Sequence, residues 1–394
     1  MTPKSRTWLN GAIWAAIIAC VALGCRPEGS RPAEEAGRAK APKRFLYVFS
    51  PEGAFVKLDA ATLSLVGNGN LGQAEVHLVE GIIPDPEYRD LLIETSRAWS
   101  KDASGPAPGL VVVRAAPARG ASPTLHTVQT VAPPAGMDQL IGGILTRGKR
   151  RLLVTTWGGP GGATPAQNTL VMAEDGNFHN AKPLENFAVG PGSCVASDGS
   201  RIYAPSARAL LEIRSLDTRD LAVRTLQSQS VAMGGFSPFV LVGSRGPCRV
   251  LVVGRPDKPP KDKVELPAYI YDLENQTMVR RLTLQGLGEY SLSPDGSLVV
   301  VDERTVVPNL LPSGTVVGVR YKKTGVVRVY DAAAGTELAA AKLPEDGQLS
   351  AIEGSTGYYV SPRLLSIVGL RNGKTTITVK LPFARGFVAF HDET

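Results

Sequence analysis

Short runs of alternating apolar and polar residues recur through most of the chain. Val326-Val327-Arg328-Val329-Tyr330-Asp331 alternates, turns at Ala334-Gly335 and resumes as Thr336-Glu337-Leu338-Ala339. Upstream, Leu292-Ser293-Pro294-Asp295-Gly296-Ser297 joins a tight Asp-Gly turn to the apolar run Leu298-Val299-Val300-Val301. A two-residue period with β-branched residues and Asp-Gly turns predicts hairpins, here two in series, which make a four-stranded meander. The unit returns at Ala196–Tyr203 with Leu211–Asp217, in part at Ala268–Asp272, and near the start at Phe45–Phe49 with Phe55–Asp59.

Almost no stretch after residue 30 carries a helical period. With strands labelled a to d outward from a common axis, the pattern predicts b strands near 45–49, 90–95, 151–156, 201–205, 249–254, 297–302 and 356–361. Residues 44–394 number 351, so each of the seven units has about 50 residues, in the range of propeller blades. The expected fold is therefore all-β: a seven-bladed β-propeller of four-stranded antiparallel sheets. Two separate β-sandwiches are the rival arrangement, and the even spacing favours the propeller. Gly386-Phe387-Val388-Ala389-Phe390-His391 reads as an inner strand with no partners after it, whereas the first repeat opens on its b strand and lacks one before it. The C-terminal strand is expected to complete the first sheet and close the ring.

The Ser293-Pro294-Asp295-Gly296 turn and the run Val327–Leu338 resemble the YVTN and WD40-like propeller repeats of bacterial exported proteins. The resemblance spans most of residues 44–394, but its motifs are turn and core signatures. It implies a fold and leaves function open.

The first 25 residues differ in kind. Lys4 and Arg6 precede the apolar run Ala12–Leu23, which ends at Gly24 and Cys25. That is the order of a secretory signal, and about twelve apolar residues are too few for a transmembrane helix, which needs roughly 20. Val21-Ala22-Leu23-Gly24-Cys25 resembles the lipobox of bacterial lipoproteins, with Ala22 where Leu is usual. The resemblance implies cleavage before Cys25 and lipidation of its sulfur. Arg26, where inner-membrane lipoproteins have Asp, implies the outer membrane of the cell envelope by the same analogy. Residues 25–43 hold Pro, Ala and charge but no large apolar side chain, as a flexible tether would. The expected domains are 1–24 signal peptide, 25–43 tether and 44–394 propeller.

The full chain carries 43 Lys and Arg against 36 Asp and Glu, a net charge of +7. Loss of Lys4 and Arg6 with the signal leaves 41 cations against 36 acids, so the mature protein is only mildly basic. No basic stripe interleaved with aromatics occurs, and nucleic acid is not an expected partner. The 42 Gly and 30 Pro fit a turn-rich fold.

Candidate chemistry is sparse. Asp295 and Asp331 of the sixth unit stand 36 residues apart, against 19 for Asp198 and Asp217 of the fourth, so the sixth has an insertion between b and c. Similar insertions at 96–108, 157–168 and 255–266 would crowd one face, because b–c and d–a connections share a side. That face is the candidate binding surface, with Trp99, Trp157, Lys258, Lys261, Arg304 and Lys322 as its aromatic and cationic contacts. Cys194 and Cys248 fall in neighbouring sheets and are either bridged in an oxidising compartment or buried as free thiols. None of His77, His126, His179 and His391 lies at metal-ligand spacing from another, and there is no Cys-x-x-Cys-His, nucleophile elbow or phosphate loop.

The favoured expectation is a lipid-anchored, non-catalytic binding or scaffolding propeller that presents b–c loops to a protein, peptide or glycan, with no cofactor. The alternative is an exported propeller hydrolase or lactonase with an axial metal, calcium being the ion that would promote it. Its candidate ligands are His77, Glu80, Asp138, Glu289 and Glu353. A quinone-dependent dehydrogenase would want repeated tryptophan docking motifs, and only Trp99 and Trp157 remain in the mature chain.

Overall fold

The computed structural model describes residues 43–71, 77–85, 90–97, 110–115, 125–131, 139–145, 151–157, 167–174, 177–184 and, apart from short stretches, 187–393. These form only β-strands and turns. In chain order the strands are β1 (Lys43–Phe49), β2 (Ala54–Asp59) and β3 (Leu65–Asn70); β4 (His77–Asp85), β5 (Asp90–Arg97), β6 (Leu110–Ala115) and β7 (Leu125–Val131). Then come β8 (Gln139–Leu145), β9 (Arg151–Trp157), β10 (Gln167–Glu174) and β11 (Asn177–Leu184); β12 (Cys194–Val195), β13 (Arg201–Ala207), β14 (Leu211–Asp217) and β15 (Val223–Gln229). The last thirteen are β16 (Ser237–Gly243), β17 (Arg249–Arg255), β18 (Glu265–Asp272) and β19 (Thr277–Gln285); β20 (Leu287–Leu292), β21 (Leu298–Leu310), β22 (Val316–Asp331) and β23 (Glu337–Lys342); β24 (Gln348–Glu353), β25 (Thr356–Ser361), β26 (Leu364–Gly369), β27 (Lys374–Lys380) and β28 (Phe387–Glu393).

They assemble into seven four-stranded antiparallel sheets, six of them consecutive meanders and the first in the order β28-β1-β2-β3. The b strands β1, β5, β9, β13, β17, β21 and β25 begin within two residues of the starts expected from the alternation. β28 lies antiparallel to β1 from Lys43↔Glu393 to Phe49↔Phe387, so the C-terminal strand closes the first sheet. Closure removes the inner edge of β1, which would otherwise offer a row of unpaired backbone groups.

Each sheet packs on the next, and the two-residue period explains how one strand serves two neighbours. Phe45, Tyr47 and Phe49 of β1 pack with Leu91, Ile93 and Val113 of the second sheet, whereas Leu46 and Val48 pack with Tyr358, Val360 and Leu365 of the seventh. On β17, Val250 and Val252 meet Tyr203 and Ile213 of the fourth sheet, while Leu251 and Val253 meet Val299 and Val301 of the sixth. Val300 and Val329 of the sixth sheet face Tyr359 and Val368 of the seventh. A strand buried on both faces reads as a continuous apolar run, and Leu298–Val301 is fully buried. The inner strands complete the circle, β28 packing on β4, β4 on β8, β8 on β12 and β24 on β28. The fold is a closed propeller.

The turns repeat as well. In the a–b turn of the sixth sheet, Gly296 takes φ +67°, its N–H donates to Ser293 O at 2.8 Å, and the Ser293 hydroxyl donates to Asp295 Oδ1 at 2.6 Å. The c–d turns start at Asp59, Asp217, Asp272 and Asp331, whose carboxylates accept backbone N–H groups two or three residues on. Four residues after each Asp the chain enters the left-handed region, at Leu63, Leu221, Gln276 and Gly335. Only one of those four positions has the glycine that this conformation favours.

Candidate functional site

In a meander the a–b and c–d turns share one face of the sheet, and the b–c and d–a connections share the other. On the b–c face the sixth sheet departs from the rest. β21 has 13 residues and β22 has 16, while the b and c strands of the other six sheets have between 6 and 8. β20 pairs with β21 only as far as Leu287↔Arg304, and β23 pairs with β22 only from Val326↔Lys342. Beyond those points β21 and β22 continue together through Thr305↔Lys322, Val307↔Arg320 and Asn309↔Gly318. The insertion read from sequence as an extra loop is thus a two-stranded arm. The signal was present in the alternation Val317, Val319, Tyr321 against Arg320 and Lys322.

Ion pairs fix the base of the arm. Arg304 binds Glu289 of the inner strand β20. Lys323 Nζ lies 3.2 Å from buried Asp302 Oδ2 and donates to Gly347 O at 2.7 Å, tying the arm to the connection between the sixth and seventh sheets. Arg328 stands 3.6 Å from Glu303 and 3.2 Å from Glu337. Adjacent residues on a strand point to opposite faces, so Asp302 and Glu303 serve different cations. Burial pushes the Asp302 carboxyl above its ordinary range, and the Lys323 ammonium draws it part of the way back. On the neighbouring strand β25, the Tyr359 and Ser361 hydroxyls are buried without a hydrogen-bond partner among the described residues. Burial raises the Tyr359 phenol, and the Asp302 charge raises it further.

Past this base the two faces of the arm differ. Val319 and Tyr321 are 47% and 42% exposed and stand opposite Pro308 and Val306, which makes one face an apolar stripe. Val317, 54% exposed, lies at the bulge between Asn309 and Leu310. Arg320 and Lys322 are exposed on the other face, opposite Val307 and Thr305.

The candidate residues distribute as follows. Arg304 and Lys322 lie on the arm, Arg304 held in its ion pair and Lys322 exposed. The adjacent Lys323 is bound at the base. The backbone of Trp157 ends β9 on the b–c side, opposite Gln139. The Trp157 side chain, Trp99, Lys258, Lys261 and Cys25 lie outside the described residues. Cys194 on β12 and Cys248 beside β17 are joined by a disulfide with Cα atoms 5.5 Å apart, which links the fourth and fifth sheets.

Of the axial candidates, Glu289 is bound to Arg304, and Glu353 to Arg44. Asp138 and the side chains of His77 and Glu80 lie outside the described residues. Among the described residues no three His, Cys, Asp or Glu side chains converge as a metal site would require. Sequence reading missed the ion-paired base, because its partners are 9 to 25 residues apart and meet only through strand register.

No protein-family model matches the chain, and no curated protein matches its sequence. Solved structures do. Apo AztD from Citrobacter koseri superposes with a TM-score of 0.54 at 10% identity, covering 90% of this chain and 99% of that one. A second AztD crystal structure gives 0.52 at 9% identity with the same coverage. A functionally unknown protein from Desulfotomaculum acetoxidans DSM 771 gives 0.50 at 16% identity, covering 89% and 99%. At such identities the likeness is one of fold, and the chain is a β-propeller by its own sheet topology and by theirs.

Proposed function

We propose that this protein is an exported, lipid-anchored binding propeller of the bacterial cell envelope, held at the outer membrane through Cys25, that presents its b–c face to a partner protein without catalysing a reaction. The observation that carries the reading is the arm: a two-stranded extension that exposes Val317, Val319 and Tyr321 on a base fixed by ion pairs. Large apolar side chains grouped on a projecting element mark interaction surfaces, and rigid positioning lowers the ordering cost of binding. Two further features support the setting. A disulfide between Cys194 and Cys248 is at home in an oxidising compartment outside the cytoplasm. Cys25 follows an apolar run of secretory type, and acyl chains contribute about 0.8 kcal/mol per buried methylene to membrane attachment.

Photo-crosslinking in intact membranes tests the role. A crosslinking amino acid at Val319 is expected to trap a discrete protein adduct. The same residue at Met278, equally exposed but on the outer strand of the fifth sheet, is expected to trap none. Equal adducts at both positions, or none at either, would remove the arm as the binding element. Cys25→Ser should shift the chain from the membrane to the soluble fraction, and unchanged retention would count against the lipid anchor.

A further inference from the structure

We propose that the contact of Lys323 with Asp302 and Gly347 is a proton-sensitive latch on the arm, closed while Asp302 carries its charge and released when it takes up a proton. This deepens the binding role argued above, as its regulation, and rests on it. The arm has a hinge where it leaves the sixth sheet. The register of β21 on β22 shifts between Asp302 and Arg304, and Gly325 on the facing strand takes φ +75°, a left-handed conformation that glycine adopts without strain. Such a bulge bends the strand pair and raises its twist, so the arm departs at a bend. Below the hinge the sheet is fixed, because Gly325 O accepts the Leu343 N–H at 2.7 Å and Val326 pairs with Lys342. Lys323, on the arm side of Gly325, spans the bend: its ammonium lies 3.2 Å from Asp302 Oδ2 and donates to Gly347 O at 2.7 Å. One side chain thus holds the arm both to the sheet it leaves and to the connection leading into the seventh.

The titratable groups around Asp302 come from the strands packed against it: Glu289 of β20, Arg304 of its own strand, Lys323 of β22 and Tyr359 of β25. The acid of β24, Glu353, is bound to Arg44 on the other rim. In the connection Asp346 is exposed, and Glu345 lies outside the described residues. Burial is the largest influence on the Asp302 carboxyl and favours its neutral form; the Glu289 charge acts in the same sense, and Lys323 and Arg304 oppose them. The net shift is upward, so as pH falls the proton arrives before the ordinary value of 3.8 is reached. Tyr359, its phenol raised by burial, stays neutral throughout. A neutral Asp302 no longer offsets the Lys323 charge. An ammonium only 19% exposed and left without a counter-charge is costly, whereas its four-carbon stem lets it reach water. As Lys323 leaves it also gives up Gly347 O. The arm then keeps its Arg304–Glu289 pair but loses this tie to the seventh sheet.

Hydrogen exchange of the full chain in detergent tests the latch, read by mass spectrometry from about pH 7.5 down to about pH 4.5 and corrected for intrinsic rates. Peptides covering residues 305–322 are expected to lose protection about tenfold across that range, while those covering the buried run Leu298–Val301 stay unchanged. Asp302→Asn, which fixes the uncharged form, and Lys323→Met, which removes the bolt, should each show the loosened arm at every pH with no step. Glu289→Gln should keep the step. A cooperative melt shows that each variant is folded. An arm equally protected at both ends of the range overturns the proposal, as does a step that survives in Asp302→Asn or in Lys323→Met, or one that vanishes in Glu289→Gln. In membranes the yield of the Val319 crosslink should fall together with the protection. Should the step be absent while that crosslink forms, the latch is refuted and the binding role stands; no crosslink at any pH removes the binding role and its regulation together.

Discussion

Removing the Cys194–Cys248 disulfide tests how far the circular arrangement depends on one cross-link. The bridge spans 54 residues of sequence and joins inner strand β12 of the fourth sheet to the start of β17 in the fifth. Closing a loop of that length in the unfolded chain removes entropy worth about 4 kcal/mol at 25 °C in the chain-entropy treatment. Both cysteines are buried with Tyr203, Val250 and Tyr271, so Cys194→Ala with Cys248→Ala also loses a little packing. For a domain of about 350 residues, unfolding entropies near 2 cal/mol/K per residue turn 4 kcal/mol into a fall of about 6 °C in the thermal midpoint. Scanning calorimetry of the oxidised chain, the reduced chain and the double variant reads that shift, with mass spectrometry of alkylated thiols to show that reduction is complete. A midpoint that moves by less than about 1 °C on full reduction would refute the reasoning. It would mean that the step limiting stability leaves the interface of the fourth and fifth sheets intact.

The remaining predictions concern the arm's base, the closure and a turn. Asp302→Ala leaves the Lys323 ammonium half-buried without its carboxylate and is expected to cost about 3 kcal/mol in urea unfolding, whereas Asp302→Leu with Lys323→Met should restore most of it; equal loss in the two would contradict the ion-pair account. Because burial raises the Asp302 carboxyl, the folded state holds that proton more tightly than the unfolded state. The group's contribution is therefore full below its ordinary value of 3.8 and is lost as pH rises through the raised folded value, a decline that Asp302→Asn should abolish in midpoint-against-pH curves. Val388 packs between the first and seventh sheets, so Val388→Ala should cost about 2 kcal/mol, and deleting Phe387–Glu393 should yield aggregates through the opened edge of β1 in light scattering. Gln276 is exposed at φ +54°, so Gln276→Gly should raise stability by about 0.5 kcal/mol, and a fall of that size would show that the left-handed turn is not strained.

The fold was legible because the propeller writes itself in short-range patterns. Leu298–Val301 announces a strand buried on both faces, Asp295-Gly296 announces the hairpin that begins it, and Phe387–Phe390 reads as a strand in want of a sheet. None of these needs knowledge of distant partners. The arm was legible only as a length discrepancy, since 19 against 36 residues between turn aspartates tells of an insertion and not of its conformation. Its alternation at Val317, Val319 and Tyr321 was there to be read, but apolar residues that stay exposed on a sheet run against the usual rule that the apolar face is the buried one. The pairs Arg304–Glu289 and Lys323–Asp302 were not legible, because they depend on the register between adjacent strands, which brings together residues 15 and 21 apart in sequence. The c–d turns hide their geometry for another reason: Leu63 and Leu221 occupy a conformation that sequence rules assign to glycine, and their side chains are held by packing against the sheet interiors.

The placement of the two chain ends relative to the arm bears on the proposed role. Lys43 and Glu393 are partners in the first sheet, and the Arg44 carbonyl accepts the N–H of Ala60 in a c–d turn, so both ends lie on the face of the a–b and c–d turns. The arm leaves by the opposite face, and Thr305–Leu310 at a strand rise of roughly 3.3 Å per residue extends it by about 20 Å. A domain tethered through the residues before Lys43 therefore has its attachment on one side and its exposed apolar stripe on the other. The arm and the start of the tether thus stand on opposite faces of the propeller. A C-terminal lipid anchor in place of Cys25 would preserve this orientation, because Glu393 starts from the same rim as Lys43. Attachment through the b–c face would invert it, and the arm would then lie against the bilayer it is proposed to avoid.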